Sequence, residues 1–174
     1  KVCNNILEAI GETPLVRINN MCPNPKVNIL AKVEGFNPTG SIKDRIAVQM
    51  IEEAERSGAL THDKTIIEPT ACNTGIGFAI IGIVKGYKVE IVMSESVSVE
   101  RRKIIRAYGG KVVLTPAQYG TDGAIRYATE KVRQNPDKYF MPNQFANSMN
   151  YLAHYEKTGE EIWRQCGGKV DYLV

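Results

Sequence analysis

The sequence predicts an α/β protein, a mostly parallel sheet with helices on both faces. Three observations predict it. Runs such as KTIIEP (64–69), YKVEIVM (87–93) and KVVLT (111–115) have the length and the Val/Ile content of buried strands. Segments with apolar residues at helical spacing separate them, over 74–85, 98–109 and 121–134. Strand therefore alternates with helix along most of the chain, the pattern of parallel strands joined by right-handed crossovers.

In chain order, CNNILEAI (3–10) reads as a short helix ended by Gly11, and TPLVRI as a short extended segment. The prolines of MCPNPK (21–26) mark a loop. VNILAKV (27–33) is strand-like and leads into EGFNPTGSIKDR (34–45), where Gly35, Asn37, Pro38 and Gly40 make a turn. Ser41 stands at a helix N-cap with Asp44 three residues on, the capping-box spacing, and IAVQMIEEAERSG continues as a helix. After the 64–69 strand, TACNTG turns the chain into the 74–85 helix. KYFM (138–141) is a short strand and NYLAHYEKTGEEIWRQC (150–166) a helix. KVDYLV (169–174) reads as a strand of the near-continuous apolar kind that is buried on both faces.

Composition narrows the class. The chain has 174 residues, 43% hydrophobic and 24% charged, which describes an ordinary folded domain. A net charge of +3 is scattered, with no basic block interleaved with aromatics, so no nucleic-acid partner is expected. The longest apolar run, FAIIGIV (78–84), is too short to cross a bilayer, and no membrane role or signal peptide is expected. Cys3, Cys22, Cys72 and Cys166 form no CxxC pair, and His62 and His154 are the only histidines, which argues against zinc. Unpaired cysteines fit a cytoplasmic location, although four could also form two bridges.

Two stretches carry candidate chemistry. Lys43 falls in the first turn of a helix, where the macrodipole disfavours a cation by about 0.3–1 kcal/mol. Arg45 adds a further positive charge nearby. Both favour the uncharged amine, the form that attacks a carbonyl; the alternative is a solvated helix lysine. In EPTACNTGIG (68–77), small residues after a strand let backbone N–H groups face outward at a helix N-terminus, an anion site for a carboxylate or phosphate. Thr70 and Thr74 add hydroxyls and Asn73 an amide; the alternative is a tight, capped connection. A dinucleotide fingerprint fails here, because Ile80 stands where a third small residue is required. Both turns follow predicted strands, so they are expected at the same sheet edge.

NPTGSIKDR followed by PTACNTGIG resembles the cysteine synthase and cystathionine β-synthase family of pyridoxal-phosphate enzymes. IGETPLVRI, SVERRKIIRAYGGKVVLTP, NQFAN and HYEKTGEEIW also look like that family, in its order, so the resemblance spans essentially the whole chain. NPTGSIKDR and GTDGAI lean toward cysteine synthase. The resemblance implies a fold type II architecture like that of tryptophan synthase β, with pyridoxal 5'-phosphate as cofactor. It implies a smaller α/β domain over 36–145 carrying the substrate-carboxylate loop, with 1–35 and 146–174 belonging to a larger cofactor domain.

Residue by residue, Lys43 matches the catalytic lysine that bonds the cofactor and moves the substrate α-proton. Asn73 matches the asparagine that hydrogen-bonds the cofactor ring hydroxyl. Thr70, Ala71, Cys72, Asn73 and Thr74 occupy the substrate-carboxylate loop, and Gln144 matches a glutamine that reaches the same carboxylate. The implied reaction is a β-replacement on an O-activated serine, O-acetylserine first, with sulfide giving L-cysteine. A homodimer in the cytoplasm is implied as well. Alternatives are a cystathionine β-synthase-type or other β-replacement, and a non-catalytic relative or fragment acting as a binding module.

Two departures stand out. The family loop reads Thr-Ser-Gly-Asn-Thr, whereas here Ala71 removes a hydroxyl and Cys72 replaces a glycine. The family's phosphate loop follows the strand that matches KVDYLV and is absent here. The expectation is that these residues are part of a longer chain, or that the remainder is disordered or supplied separately, and that taken alone they bind the cofactor weakly through Lys43 and turn over no substrate.

Overall fold

The computed structural model describes residues 2–174. Strands β1 (Leu15–Arg17) and β2 (Leu30–Lys32) form an antiparallel ribbon. Strands β3 (Thr65–Pro69) and β4 (Lys88–Ser94) form the centre of a separate sheet. It is flanked by β5 (Lys111–Thr115) beside β4 and β6 (Tyr139–Phe140) beside β3. The order is β5-β4-β3-β6 and every pairing is parallel.

Helices α1 (Lys43–Arg56), α2 (Asn73–Lys85), α3 (Val99–Ala107) and α4 (Gly120–Gln134) supply the crossovers and covering layers. A last helical stretch comprises α5 (Met149–Ala153) and α6 (Glu160–Gln165), joined through a wider π-helical turn over His154–Gly159.

The central strands are apolar throughout because both faces are buried. Ile66, Ile91 and Met93 pack with Ile46, Phe78 and Ile81 of α1 and α2 on one side. Ile67 and Val92 point the other way, onto Ala124 and Ala128 of α4. This is the expected two-sided architecture, with period-2 strands supplying both cores. Gly75 in α2 allows the close seat: a Cβ there would lie 2.8 Å from Thr70 Cγ2 and 3.0 Å from Ile91 Cγ2.

The strand order also fixes where a site can form. The chain winds from β3 to β4 to β5, then returns to place β6 on the opposite side of β3. In open α/β sheets, the crevice at the carboxyl ends of strands where this order reverses is where ligands bind. Here that crevice lies past Pro69 and Phe140.

Several expectations are corrected. The 27–33 strand shrinks to Leu30–Lys32, part of a half-exposed ribbon continued by the Ile18 N–H donating to Ile29 O at 2.9 Å and the Val33 N–H to Pro14 O at 3.0 Å. Because, among the described residues, β2 pairs only with β1, the Lys43 turn and the 70–74 turn do not share a sheet edge; packing of α1 on α2 brings them together instead. The capping box does not form. Helix α1 starts at Lys43, Ser41 Oγ accepts from the Lys43 N–H at 3.1 Å, and Asp44 bonds back to Thr39.

KVDYLV is not a strand, and residues 169–174 are all exposed. Gly167 and Gly168, at φ +65° and +75°, turn the chain away after α6. An apolar run becomes a strand only where a neighbour offers its free N–H and C=O groups.

Candidate active site

The loop after β3 carries five of the predicted site residues. Thr70 and Thr74 are buried, Ala71 and Asn73 half-buried, and Cys72 exposed. The Cys72 N–H donates to Thr70 Oγ1 at 3.2 Å, which curls the loop back on the strand end. Cys72 lies in the extended region, at φ −130° and ψ −161°, so the non-glycine residue causes no backbone strain. Its side chain faces outward toward Arg101, whose Nη1 donates to Ala71 O at 3.1 Å and lies 3.9 Å from Cys72 Sγ. With α2 beginning at Asn73, the loop sits at the positive end of that helix.

The loop after β6 meets it. Thr74 Oγ1 donates to Gln144 Oε1 at 2.8 Å. Two predicted site residues, far apart in sequence, thus join across the switch point. The turn bearing Gln144 is held by Asn150 Nδ2, which donates to Gln144 O at 2.8 Å, and by Asn147 Nδ2, which donates to Pro142 O at 2.8 Å. Beyond Gln144 a groove of about 420 Å³ runs past Asn147 and Asn150 to His154.

Lys43 begins α1, which crosses α2 at Gly77. A Cβ at Gly77 would lie 3.2 Å from Ala47 Cβ and 3.5 Å from Lys43 O, so the glycine lets the start of α1 approach the loop. Among the described residues, neither the Lys43 amine nor the Asn73 amide has a hydrogen-bond or ion-pair partner. Two polar groups are therefore free to meet a ligand near the N-terminus of α2.

Arg45, expected to add positive charge beside Lys43, is buried and ion-paired. Its Nε and Nη2 donate to Glu34 at 2.7 and 2.8 Å, and its Nη1 to Glu161 at 2.8 Å. Despite burial, bonds to these two carboxylates raise the guanidinium above its ordinary range. The Glu161 carboxylate also takes Lys32 and the Glu12 N–H. This network anchors the start of α1 to the N-terminal segment and to α6.

Sequence reasoning missed two residues. His154 lies close to Lys43. Its pKa is lowered by burial and then by the positive charges of Lys43 and Arg45, and its Nδ1 bonds with Thr158 Oγ1 at 3.0 Å. The π turn that begins at His154 has no simple sequence signal. Glu68 is fully buried at the end of β3, and its oxygens accept from the Asn143 and Gln144 N–H groups at 2.8 and 3.0 Å. The available signal was a carboxylate inside an otherwise apolar strand.

A family model described as pyridoxal-phosphate dependent enzyme matches residues 6–174. The cysteine synthase of Flavobacterium sp. (strain K3-15) is 51% identical over 170 residues, 98% of this chain and 55% of that protein. The cystathionine beta-synthase of Rattus norvegicus is 46% identical over 179 residues, 100% of this chain and 32% of that protein. The crystal structure of a cysteine synthase from Entamoeba histolytica superposes with a TM-score of 0.93 at 41% identity, covering 98% of this chain and 52% of that one. The chain thus spans about half the length of the cysteine synthases it matches.

Proposed function

The chain belongs to the pyridoxal-phosphate-dependent enzyme family, and from that premise we propose that it serves β-replacement on an O-activated L-serine. O-acetylserine is the first substrate, sulfide the nucleophile and L-cysteine the product. In the balanced reaction the Cβ–O bond breaks, acetate leaves, and the sulfide sulfur bonds to Cβ. The Thr74–Gln144 hydrogen bond across the switch point carries this reading. It joins the two loops at a helix N-terminus, a place suited to an amino-acid carboxylate.

The donor set fits the cofactor. An unpartnered lysine amine and an unpartnered asparagine amide stand near the helix start, and we assign Lys43 to the cofactor aldehyde and Asn73 to its ring hydroxyl. When bound, the cofactor withdraws electrons from the amino acid and so eases loss of the α-proton. Lys43 takes that proton from Cα and returns it at the end, a task suited to an amine. Thr70, the 71–73 backbone, Thr74 and Gln144 hold the substrate carboxylate.

We also assign residues 36–145 to a smaller α/β domain and 1–35 with 146–174 to the cofactor domain. The four-stranded sheet falling wholly within 65–140 is in keeping with that division. A homodimer and a cytoplasmic location complete the proposal, the latter in keeping with four free cysteines.

The test is a visible absorption spectrum of the protein with pyridoxal phosphate, followed by borohydride reduction and peptide mapping. The expected result is a label on Lys43 and a spectral change on adding O-acetyl-L-serine. A label on Lys32 or Lys64 overturns the assignment. The 46% identity to cystathionine beta-synthase supports a second nucleophile, a thiol amino acid in place of sulfide. Product analysis with the two nucleophiles in competition decides between them.

A further inference from the structure

We infer that Glu68 is a positioning residue that clamps the Asn143–Gln144 turn to the end of β3, and so presets Gln144 for the carboxylate of an amino-acid substrate. The inference rests on the β-replacement reading. Its first support is geometric. Consecutive N–H groups converge on one carboxylate, with one bond to each oxygen, at 2.8 and 3.0 Å. Converging amides of this kind form an anion-binding nest. Asn143 takes a left-handed conformation, φ +53°, to present them, which a residue other than glycine adopts at a cost.

Position is the second support. Glu68 is two residues before Thr70, on the same strand end that launches the carboxylate loop. The residue it holds, Gln144, is the one that Thr74 meets. A single side chain therefore sets the spacing between both halves of the site. Glu68 is 0% exposed, and among the described residues no lysine or arginine pairs with it. A buried, unpaired carboxylate is costly, and the loop amides are its visible compensation. Burial pushes this carboxyl up to about 7, against the pull of those amides.

Glu68→Gln tests the inference in the cofactor-loaded full chain. Glutamine keeps the shape but turns an NH2 toward one of the two amides. The expected result is a KM for O-acetyl-L-serine raised about tenfold or more, with cofactor affinity and kcat little changed. Gln144→Ala should raise KM similarly, and the double variant should be no worse than Gln144→Ala alone, because both changes remove one device.

Hydrogen exchange in the wild type tests the clamp without any variant: the Asn143 and Gln144 amides should be protected like those of β3. Free exchange at both amides, or additive effects in the double variant, overturns the inference. Wild type that binds O-acetyl-L-serine alongside an unchanged Glu68→Gln overturns the inference alone. Wild type that takes up cofactor and has no affinity for O-acetyl-L-serine overturns the β-replacement reading and the inference with it.

Discussion

Arg45 Nη1 donates to Glu161 Oε2 at 2.8 Å, joining the first turn of α1 to α6 across 116 positions of sequence. Both side chains are at least 95% buried, and Glu34, Lys32 and Thr13 complete the cluster. Arg45 is two residues from Lys43, so this network fixes the register of the helix that presents the candidate catalytic amine.

Glu161→Gln should destabilise the protein by about 3–5 kcal/mol, because it leaves Arg45 and Lys32 buried with too little negative charge. Urea unfolding followed by circular dichroism measures this. A loss under 1 kcal/mol would show that Glu34 alone suffices for Arg45.

Two carboxylates should give opposite pH dependence. Burial would raise Glu161, yet its bonds from Arg45, Lys32 and the Glu12 amide hold it down to about 2. It contributes stability that is present above the ordinary value of 4.5 and lost as pH falls toward 2. Glu68 is raised to about 7, so its contribution is complete below 4.5 and is lost as pH rises from 4.5 to 7. The expected loss in that upper window is on the order of 3 kcal/mol. Glu68→Gln should flatten the upper window and leave the acid limb intact, as read from unfolding midpoints across the range.

Gly75→Ala should cost about 1–3 kcal/mol by overpacking. The added methyl would meet Thr70 Cγ2 at 2.8 Å and Ile91 Cγ2 at 3.0 Å. Since Thr70 belongs to the proposed carboxylate loop, amino-acid binding should weaken as well. Unchanged stability together with unchanged binding would show that the loop yields freely.

Ala71→Ser with Cys72→Gly should tighten amino-acid binding. One restored hydrogen bond to a charged carboxylate contributes about 1.5–3 kcal/mol, roughly ten- to a hundredfold in affinity. Arg101 holds the backbone at Ala71 O as well as Cys72 Sγ, and the backbone bond persists without the thiol, so the loop should keep its path in the variant. An unchanged dissociation constant by calorimetry would make the two departures neutral.

What the sequence determined by itself was local and periodic. The Val/Ile runs of β3, β4 and β5 and the spacing in α2, α3 and α4 were legible because a strand or helix buried by its neighbours must carry that pattern. Lys43, Asn73 and Thr74 were legible as candidates because they stand at turns that open helices, and Gln144 through the resemblance of NQFAN to the family. The tertiary structure decided everything that depends on a partner far along the chain. KVDYLV has the pattern of a strand, but among the described residues no ladder partner meets it and two left-handed glycines turn it away. Arg45 looked like an added charge beside Lys43, until Glu34 and Glu161 were found closing on it from distant segments. Glu68 passed as part of the KTIIEP strand, yet it accepts from the Gln144 N–H 76 positions away. Periodicity records which face of an element is buried. It carries no record of which distant group lies on that face, and burial of a charge is decided by that group alone.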